Sequence, residues 1–549
     1  MMHVNKWTKY GCMILCFLTI QKGFSQVSAP HFIAPVTIPI SLAGNFCEIR
    51  ANHFHSGVDI RTNGKEGLPV LAIGNGYISR IKISPTGFGR AIYINHPEGY
   101  TSVYAHLNSF TSFIAAYVDS IQRANESYDM EIFPDAKLFQ VVQGDTIALS
   151  GNSGSSASPH LHFEIRDLKS EEPLNPLTFL NYKDSIAPTI KSVRAVRFIN
   201  EREYIVLDSL KTHHLGDSII NYLAAGKYYF EIQGTDNSND SYGNYYSIKV
   251  ITLSGDTLFS SSYDRFNFDE TKMVNTAINY ESLINSKEEW IRLYKLPNNT
   301  ASLFKNSKSH FLNLSSELQS ILITVSDFNG NSTTDTIQLI GSLKSDVTTP
   351  QQDIICRYYD ESFSFPFKYG FVNVPKNGID HSYCYPITDY DTIPDSTTFL
   401  IGDPTVALIK TAQVMIQQKC SSNSWLCERN SNNELTGTSY KLDSTIIAYQ
   451  AIIKKFGWYS IEQDSVAPKI LKASEENDPI IPNEKNLLLK ISDDISGIKK
   501  ANVYINNVYL PCEFDLKRNT VIIPKRKYKI GDHLQLKLVD YQGNEVLLM

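Results

Sequence analysis

Ser158-Pro159-His160-Leu161-His162-Phe163-Glu164-Ile165 alternates polar and apolar side chains. On a β-strand, successive side chains point to opposite faces, so His160 and His162 share one face while Leu161 and Phe163 turn to the core. Glu164 is expected to point outward or to orient one of the histidines. Two imidazoles on one face, near enough to share a metal ion, are uncommon by chance.

Two other stretches carry the same residue types. In Phe54-His55-Ser56-Gly57-Val58-Asp59-Ile60, His55 and Asp59 stand four apart. Gly57 and β-branched Val58 favour a loop running into a strand over a helix, and a turn can still bring imidazole and carboxylate to one metal. The other is Val103-Tyr104-Ala105-His106-Leu107. Catalytic zinc takes three protein ligands from His, Asp or Glu and leaves a position for water. The metal lowers the pKa of that water to about 7, and further histidines can act as base or as donors to an oxyanion. A helical HExxH motif is absent from the chain. His53 forms a His-x-His of its own with His55, and spacing alone does not exclude it as a ligand.

In this order, His55-x-x-x-Asp59, Tyr104-Ala105-His106-Leu107 and His160-Leu161-His162-Phe163-Glu164 resemble the motifs of the lysostaphin-like (LytM-type) zinc metallopeptidases. The flanking text is similar too: Gly67 to Ile78 looks like their first core hairpin, and Gly144 to Gly154 like the loop before the last motif. The resemblance covers about residues 35–180. It implies Zn2+ held by His55, Asp59 and His162, with His106 and His160 flanking the bound water as base and transition-state stabiliser in an order left open. It demotes His53. It also implies an exported endopeptidase that hydrolyses peptide cross-links of bacterial peptidoglycan, on a mostly antiparallel β-domain with a narrow groove. Some family members lose ligands and serve only as wall-binding activators. All five positions are kept here, which favours the enzyme over a silent scaffold.

Residues 109–140 lengthen the connection between His106 and His160. Phe110, Phe113, Ile114, Tyr117, Val118 and Ile121 recur with helical spacing over 109–123, with Ser109 as N-cap. This insertion is expected to wall or cover the groove. The Gly151–Ser158 stretch lacks the Gly-Lys-Ser/Thr of a phosphate cradle and reads as a tight turn. His31 and His96 read as surface or turn residues. His213, His214, His310, His381 and His533 read as structural or solvated, and Cys47 as a buried small residue.

Beyond the peptidase-like region, Asp184-Ser185-Ile186-Ala187-Pro188-Thr189-Ile190 recurs as Asp464-Ser465-Val466-Ala467-Pro468-Lys469-Ile470. Val325-Ser326-Asp327-Phe328-Asn329-Gly330-Asn331 is echoed by Val539-Asp540-Tyr541-Gln542-Gly543-Asn544. Strand, Asp-x-x-Gly-Asn turn, strand is hairpin chemistry. Both units resemble bacterial immunoglobulin-like β-sandwiches. The expected organisation is mainly β: a signal peptide over 1–26, a lysostaphin-like peptidase domain over 27–183, an immunoglobulin-like domain over 184–345 with a partly helical insertion near 264–297, an unclassified region over 346–463, and a second immunoglobulin-like domain over 464–549.

The signal reading rests on Lys6 and Lys9, the apolar run Gly11 to Ile20, and small residues at Gly23 and Ser25. Leu15 before Cys16 and Lys9 before Cys12 do not suit lipid attachment. The location expected is outside the cytoplasm: periplasmic, cell-surface or secreted. The six cysteines past the signal contain no CxxC pair, and Cys420 with Cys427 could pair or stay as free thiols. With 549 residues, 42% hydrophobic and a net charge of −6, the chain is a multidomain globular protein without the basic excess of a nucleic-acid binder. No apolar run reaches the roughly 18 residues of a spanning helix. The partners implied are peptidoglycan and, through the trailing β-domains, an envelope protein.

Overall fold

The computed structural model describes residues 32–548 apart from 201–202, 211–218, 237–244, 306–310, 343–353, 387–396, 446–447, 472–479, 483–485, 525–526 and 530. The signal segment 1–26, His31, His213, His214 and His310 lie outside the described residues. What is described is mainly β, in largely antiparallel sheets, and no described helix is long and apolar enough to cross a membrane.

The site-bearing sheet has nine strands. At its centre, His160–Asp167 lies between Val58–Arg61 and Tyr100–Ala105, antiparallel to both. Val58, Ile60, Tyr104, Leu161, Phe163 and Ile165 are fully buried, so the apolar alternation read from the sequence is the core-facing row of this sheet. A separate three-stranded sheet joins Pro69–Leu71, Thr146–Leu149 and Ser109–Phe110. This corrects the expected hairpin within Gly67–Ile78. Val70 pairs with Ala148, while Gly76–Ile83 joins the large sheet beside Arg90–Asn95. The segment between them carries the chain from one sheet to the other.

The helix spans Ser112–Asn125, with Thr111 at the N-cap. Ser109 is not its cap, because Ser109 and Phe110 are committed to a strand opposite Leu149 and Ala148. Ile114, Val118 and Gln122 form the buried stripe, and Phe113 is 63% exposed. The far end of this helix meets the C-terminal part of the chain. Arg123 Nη1 donates to the Tyr509 carbonyl at 2.7 Å, and the Tyr504 hydroxyl and Asn502 amide bond Glu126. Close by, Arg90 pairs with Glu513 at 2.9 Å.

Three further units each contain two sheets. In the first, the five-stranded sheet centred on Thr189–Asn200 and Gly226–Thr235 accompanies one that includes Ser247–Thr252, Gln319–Ser326 and Ser332–Ser342. The second, within the region left unclassified from sequence, has a five- and a four-stranded sheet sharing one buried cluster that includes Val372, Val414, Leu426 and Tyr459. The last pairs a sheet around Asn486–Ser492 with one around Ile498–Ile505. Both Asp-x-x-Gly-Asn stretches close hairpins in the same way: the Asn331 amide donates to Asp327 Oδ1 at 2.9 Å and the Asn544 amide to Asp540 Oδ1 at 2.8 Å. Residues 268–286 form short helical turns, the first of which pack on the His53–Phe54 strand, with Phe266 against both Phe46 and Phe54 and the Phe54 amide donating to Thr271 Oγ1.

Cys356 is disulfide-bonded and stands opposite Cys384 in a strand pair. Cys420 and Cys427 are free thiols, so the pairing that sequence left open is not formed. Ile60 is fully buried directly behind the site. Ile60→Ala should cost about 2–5 kcal/mol, read as a lower urea midpoint with unchanged slope.

Candidate metal and catalytic site

The antiparallel register places Asp59 opposite His162, and His162 is in turn opposite Ala105, the residue before His106. Facing residues on neighbouring strands have Cβ atoms about 4.5–5.5 Å apart, so the ladder delivers Asp59, His162 and His106 to one spot. His55 arrives from the loop before Val58. That loop packs tightly on the central strand: a Cβ on Gly57 would sit 2.3 Å from the Phe163 carbonyl oxygen.

His55 Nε2 lies 3.1 Å from Asp59 Oδ1 and 3.0 Å from His162 Nδ1, and His162 Nδ1 lies 2.9 Å from Asp59 Oδ1. All three residues are buried. The opposite atom of each is already engaged. His55 Nδ1 donates to the Asn45 carbonyl at 2.7 Å, His162 Nε2 to Glu164 Oε1 at 2.9 Å, and Asp59 Oδ2 accepts from Arg50 at 2.9 Å. Those partners select the tautomers that turn His55 Nε2 and His162 Nδ1 inward as lone pairs. Three inward lone pairs at about 3 Å repel unless a positive charge sits among them. A proton can serve: burial alone would lower His162, yet Asp59 and Glu164 outweigh it and raise its pKa to about 9. A divalent cation answers all three atoms at once. Tetrahedral ligands at about 2.0–2.1 Å from zinc stand about 3.3 Å from one another, close to the spacing seen, so the donor set fits zinc.

Glu164 sits within the sheet, fully buried. It takes hydrogen bonds from His162 and Ser56, and its other oxygen accepts from Arg166 Nε at 2.6 Å. Burial would raise this carboxyl, but the Arg166 guanidinium and the His162 contact hold it at about 2. Of the two sequence readings of Glu164, orienting a histidine is the one the structure supports. Arg166 in turn lies 4.7 Å from the Phe268 ring centroid, so the short helical segment of the following unit backs the metal site.

His106 and His160 stand on the open side, with ring centroids 4.8 Å apart. His160 Nε2 is 3.4 Å from Asp59 Oδ1. His106 Nδ1 donates to the Ser153 carbonyl at 2.9 Å and His160 Nδ1 to the Ser158 carbonyl at 2.8 Å, which leaves each Nε2 as an acceptor. Burial, and the neighbouring His162 and His160, push His106 down to about 3, so it is neutral at pH 7. Its backbone φ of 57° is in the left-handed region, uncommon outside glycine. The loop that orients both rings is also held from the C-terminal unit, where Lys517 Nζ donates to the carbonyls of Asn152 and Ser156. The Phe88 ring lies 4.9 Å from that of His162.

All five residues singled out from sequence meet here. His53 is exposed and bonds only the Ala51 carbonyl, away from the cluster. His96 differs from its surface reading. It is buried, with Nδ1 donating to the Asn75 carbonyl at 2.8 Å and Nε2 2.7 Å from Ser102 Oγ, and burial lowers its pKa. His381 pairs with buried Asp380. Cys47 is buried, as read. Sequence reasoning missed Asn45 and Arg50, whose roles come from tertiary contact and leave no spacing signal.

The family model described as Peptidase family M23 matches residues 53–123. Among curated proteins, the DD-carboxypeptidase/endopeptidase Mpg of Neisseria meningitidis serogroup B is 30% identical over 124 residues, 23% of this chain and 22% of that one. Lipoprotein NlpD of Yersinia enterocolitica is 30% identical over 117 residues, 21% of this chain and 94% of that one. The chain spans about a fifth of the length of the curated metalloprotease and Mpg relatives. Among solved structures, the catalytic domain of lysostaphin from Staphylococcus simulans is 24% identical, with a TM-score of 0.20, over 26% of this chain and 91% of that one.

Glu164→Gln keeps the shape but weakens the hold on the His162 tautomer. Zinc affinity should fall about 10–100-fold, read by competition with a calibrated chelator.

Proposed function

The chain belongs to peptidase family M23, and we propose that it is an exported zinc metalloendopeptidase that hydrolyses peptide cross-links of bacterial peptidoglycan. One observation carries this reading. Three ligand atoms converge within 3.1 Å of one another, and two further imidazoles, each tied through Nδ1 to a backbone carbonyl, flank them. A site that held metal for structure alone would have no use for that second pair. The Neisseria relative is named as a carboxypeptidase and endopeptidase, which supports a peptide bond as the target.

Zinc, held by His55, Asp59 and His162, would supply Lewis acidity that activates a water and polarises the scissile carbonyl. The chain's own groups do the rest. Of His106 and His160, one Nε2 accepts the proton lost as water oxygen bonds the carbonyl carbon, and returns it to the amine as the C–N bond breaks. The other, protonated at Nε2 so that its ring is an imidazolium, stabilises the oxygen on which charge develops. The Ser153 and Ser158 carbonyls fix the ring directions. Burial keeps His106 neutral and thus competent as an acceptor at neutral pH. The trailing β-units are proposed to place this groove against the wall or against an envelope protein.

Mass spectrometry of fragments released from purified peptidoglycan tests activity and bond choice together. His160→Ala should keep about one zinc per chain and lose about 10²–10⁴-fold in rate, whereas His55→Ala should lose the zinc itself. A protein that binds wall fragments without zinc and without releasing any would overturn the enzyme in favour of a scaffold.

A further inference from the structure

A second convergence of acidic groups lies between the peptidase sheet and the unit that follows it. Asp184, Asp236 and Asp327 each bring a carboxylate oxygen within 4.8 Å of the others. Asp184 belongs to the connector, Asp236 directly follows the Gly226–Thr235 strand, and Asp327 opens the turn after Gln319–Ser326. They line a cavity of about 20 Å³, room for one water or one ion.

No lysine or arginine is among the residues lining the cavity. Asp184 accepts from the Ile186 amide, and Asp327 from the amide and side chain of Asn331. Asp236 is 4% exposed, and its Oδ1 is buried without a hydrogen-bond partner. A buried carboxylate left in that state is costly. Burial, with Asp327 and Asp184 nearby, pushes its pKa up to about 7. Asn45 Oδ1 lines the same cavity and is likewise buried with no partner. Three carboxylates, one of them with an orphaned oxygen, and Asn45 thus line one small space.

We propose that Asp184, Asp236 and Asp327 bind a Ca2+ ion, with Asn45 Oδ1 as a further ligand. Every candidate atom is oxygen, the set hard cations select, and zinc's nitrogen and sulfur preferences are unmet. Ligands drawn from four separate segments suit the loose geometry of calcium better than the strict octahedron of magnesium, which also keeps several waters for which this cavity has no space. In the C-terminal repeat the counterpart of Asp184, Asp464, accepts from the Ser496 amide at 3.2 Å and the Asn544 side chain at 3.1 Å. Asn45 also joins the two sites, since its carbonyl holds His55.

Tyr245, Tyr246 and Tyr263 line the cavity, so Tb3+ bound there should luminesce on tyrosine excitation. In the zinc-loaded full chain, emission should saturate near one equivalent and be displaced by Ca2+, and Ca2+ should raise the thermal midpoint. Asp236→Asn should abolish both responses. Asp184→Asn, at a less buried position, should weaken Ca2+ at least tenfold, and Asp540→Asn in the repeat should leave both intact. Absence of Ca2+-displaceable emission in the wild-type chain, or its survival in both Asp236→Asn and Asp184→Asn, would overturn the site.

Discussion

One strand register governs the peptidase site. Asp59 and His162 face each other across an antiparallel ladder whose opposite face is sealed into the core by Val58, Ile60, Leu161 and Phe163. Sliding that ladder by one residue would turn the histidines inward and the core residues out. The apolar face therefore enforces the register, and the register sets the metal geometry. The chemistry of the polar face is positioned by the packing of the other.

Support for the ligands extends outward in successive layers. Glu164 orients His162, Arg166 neutralises Glu164, and Phe268 of the following unit covers Arg166. On the other side, Asn45 orients His55, and Arg50 engages the outer oxygen of Asp59. A buried carboxylate beside a histidine is an asset only when its own charge is answered, and Arg166 supplies that answer.

The site was legible in sequence because its signals are local. His-x-His on an alternating strand, His-x-x-x-Asp after a loop, and a histidine at a strand end each occupy a few residues, and all five side chains meet. Local patterns fail where a segment's partner is remote. Gly67–Ile78 reads as a hairpin, yet its two strands join different sheets, because Pro69–Leu71 finds Thr146–Leu149. Phe113 falls on the helical stripe and is nevertheless exposed, since the helix turns Ile114, Val118 and Gln122 inward. His96 does open a turn, where the Gly99 amide donates to its carbonyl, but its ring is buried beside the hydroxyls of Ser102 and Tyr104 rather than on the surface. The middle region gave no motif, because two sheets around a shared core need only apolar alternation, which many sequences satisfy.

The contact of the C-terminal unit with the peptidase domain has a meaning in time. Arg90 and Glu513 are 423 residues apart, and Lys517 reaches back 361 residues to Ser156. Contacts of such separation require closure of very large loops and form late, whereas domains of a growing chain fold from the N-terminus as units. The strands that position His55, His106 and His162 can therefore pair before Lys517 has been synthesised. Until those last residues are made, the loop that directs His106 and His160 lacks its distal restraint. The peptidase domain is thus buttressed by the part of the chain that is made last.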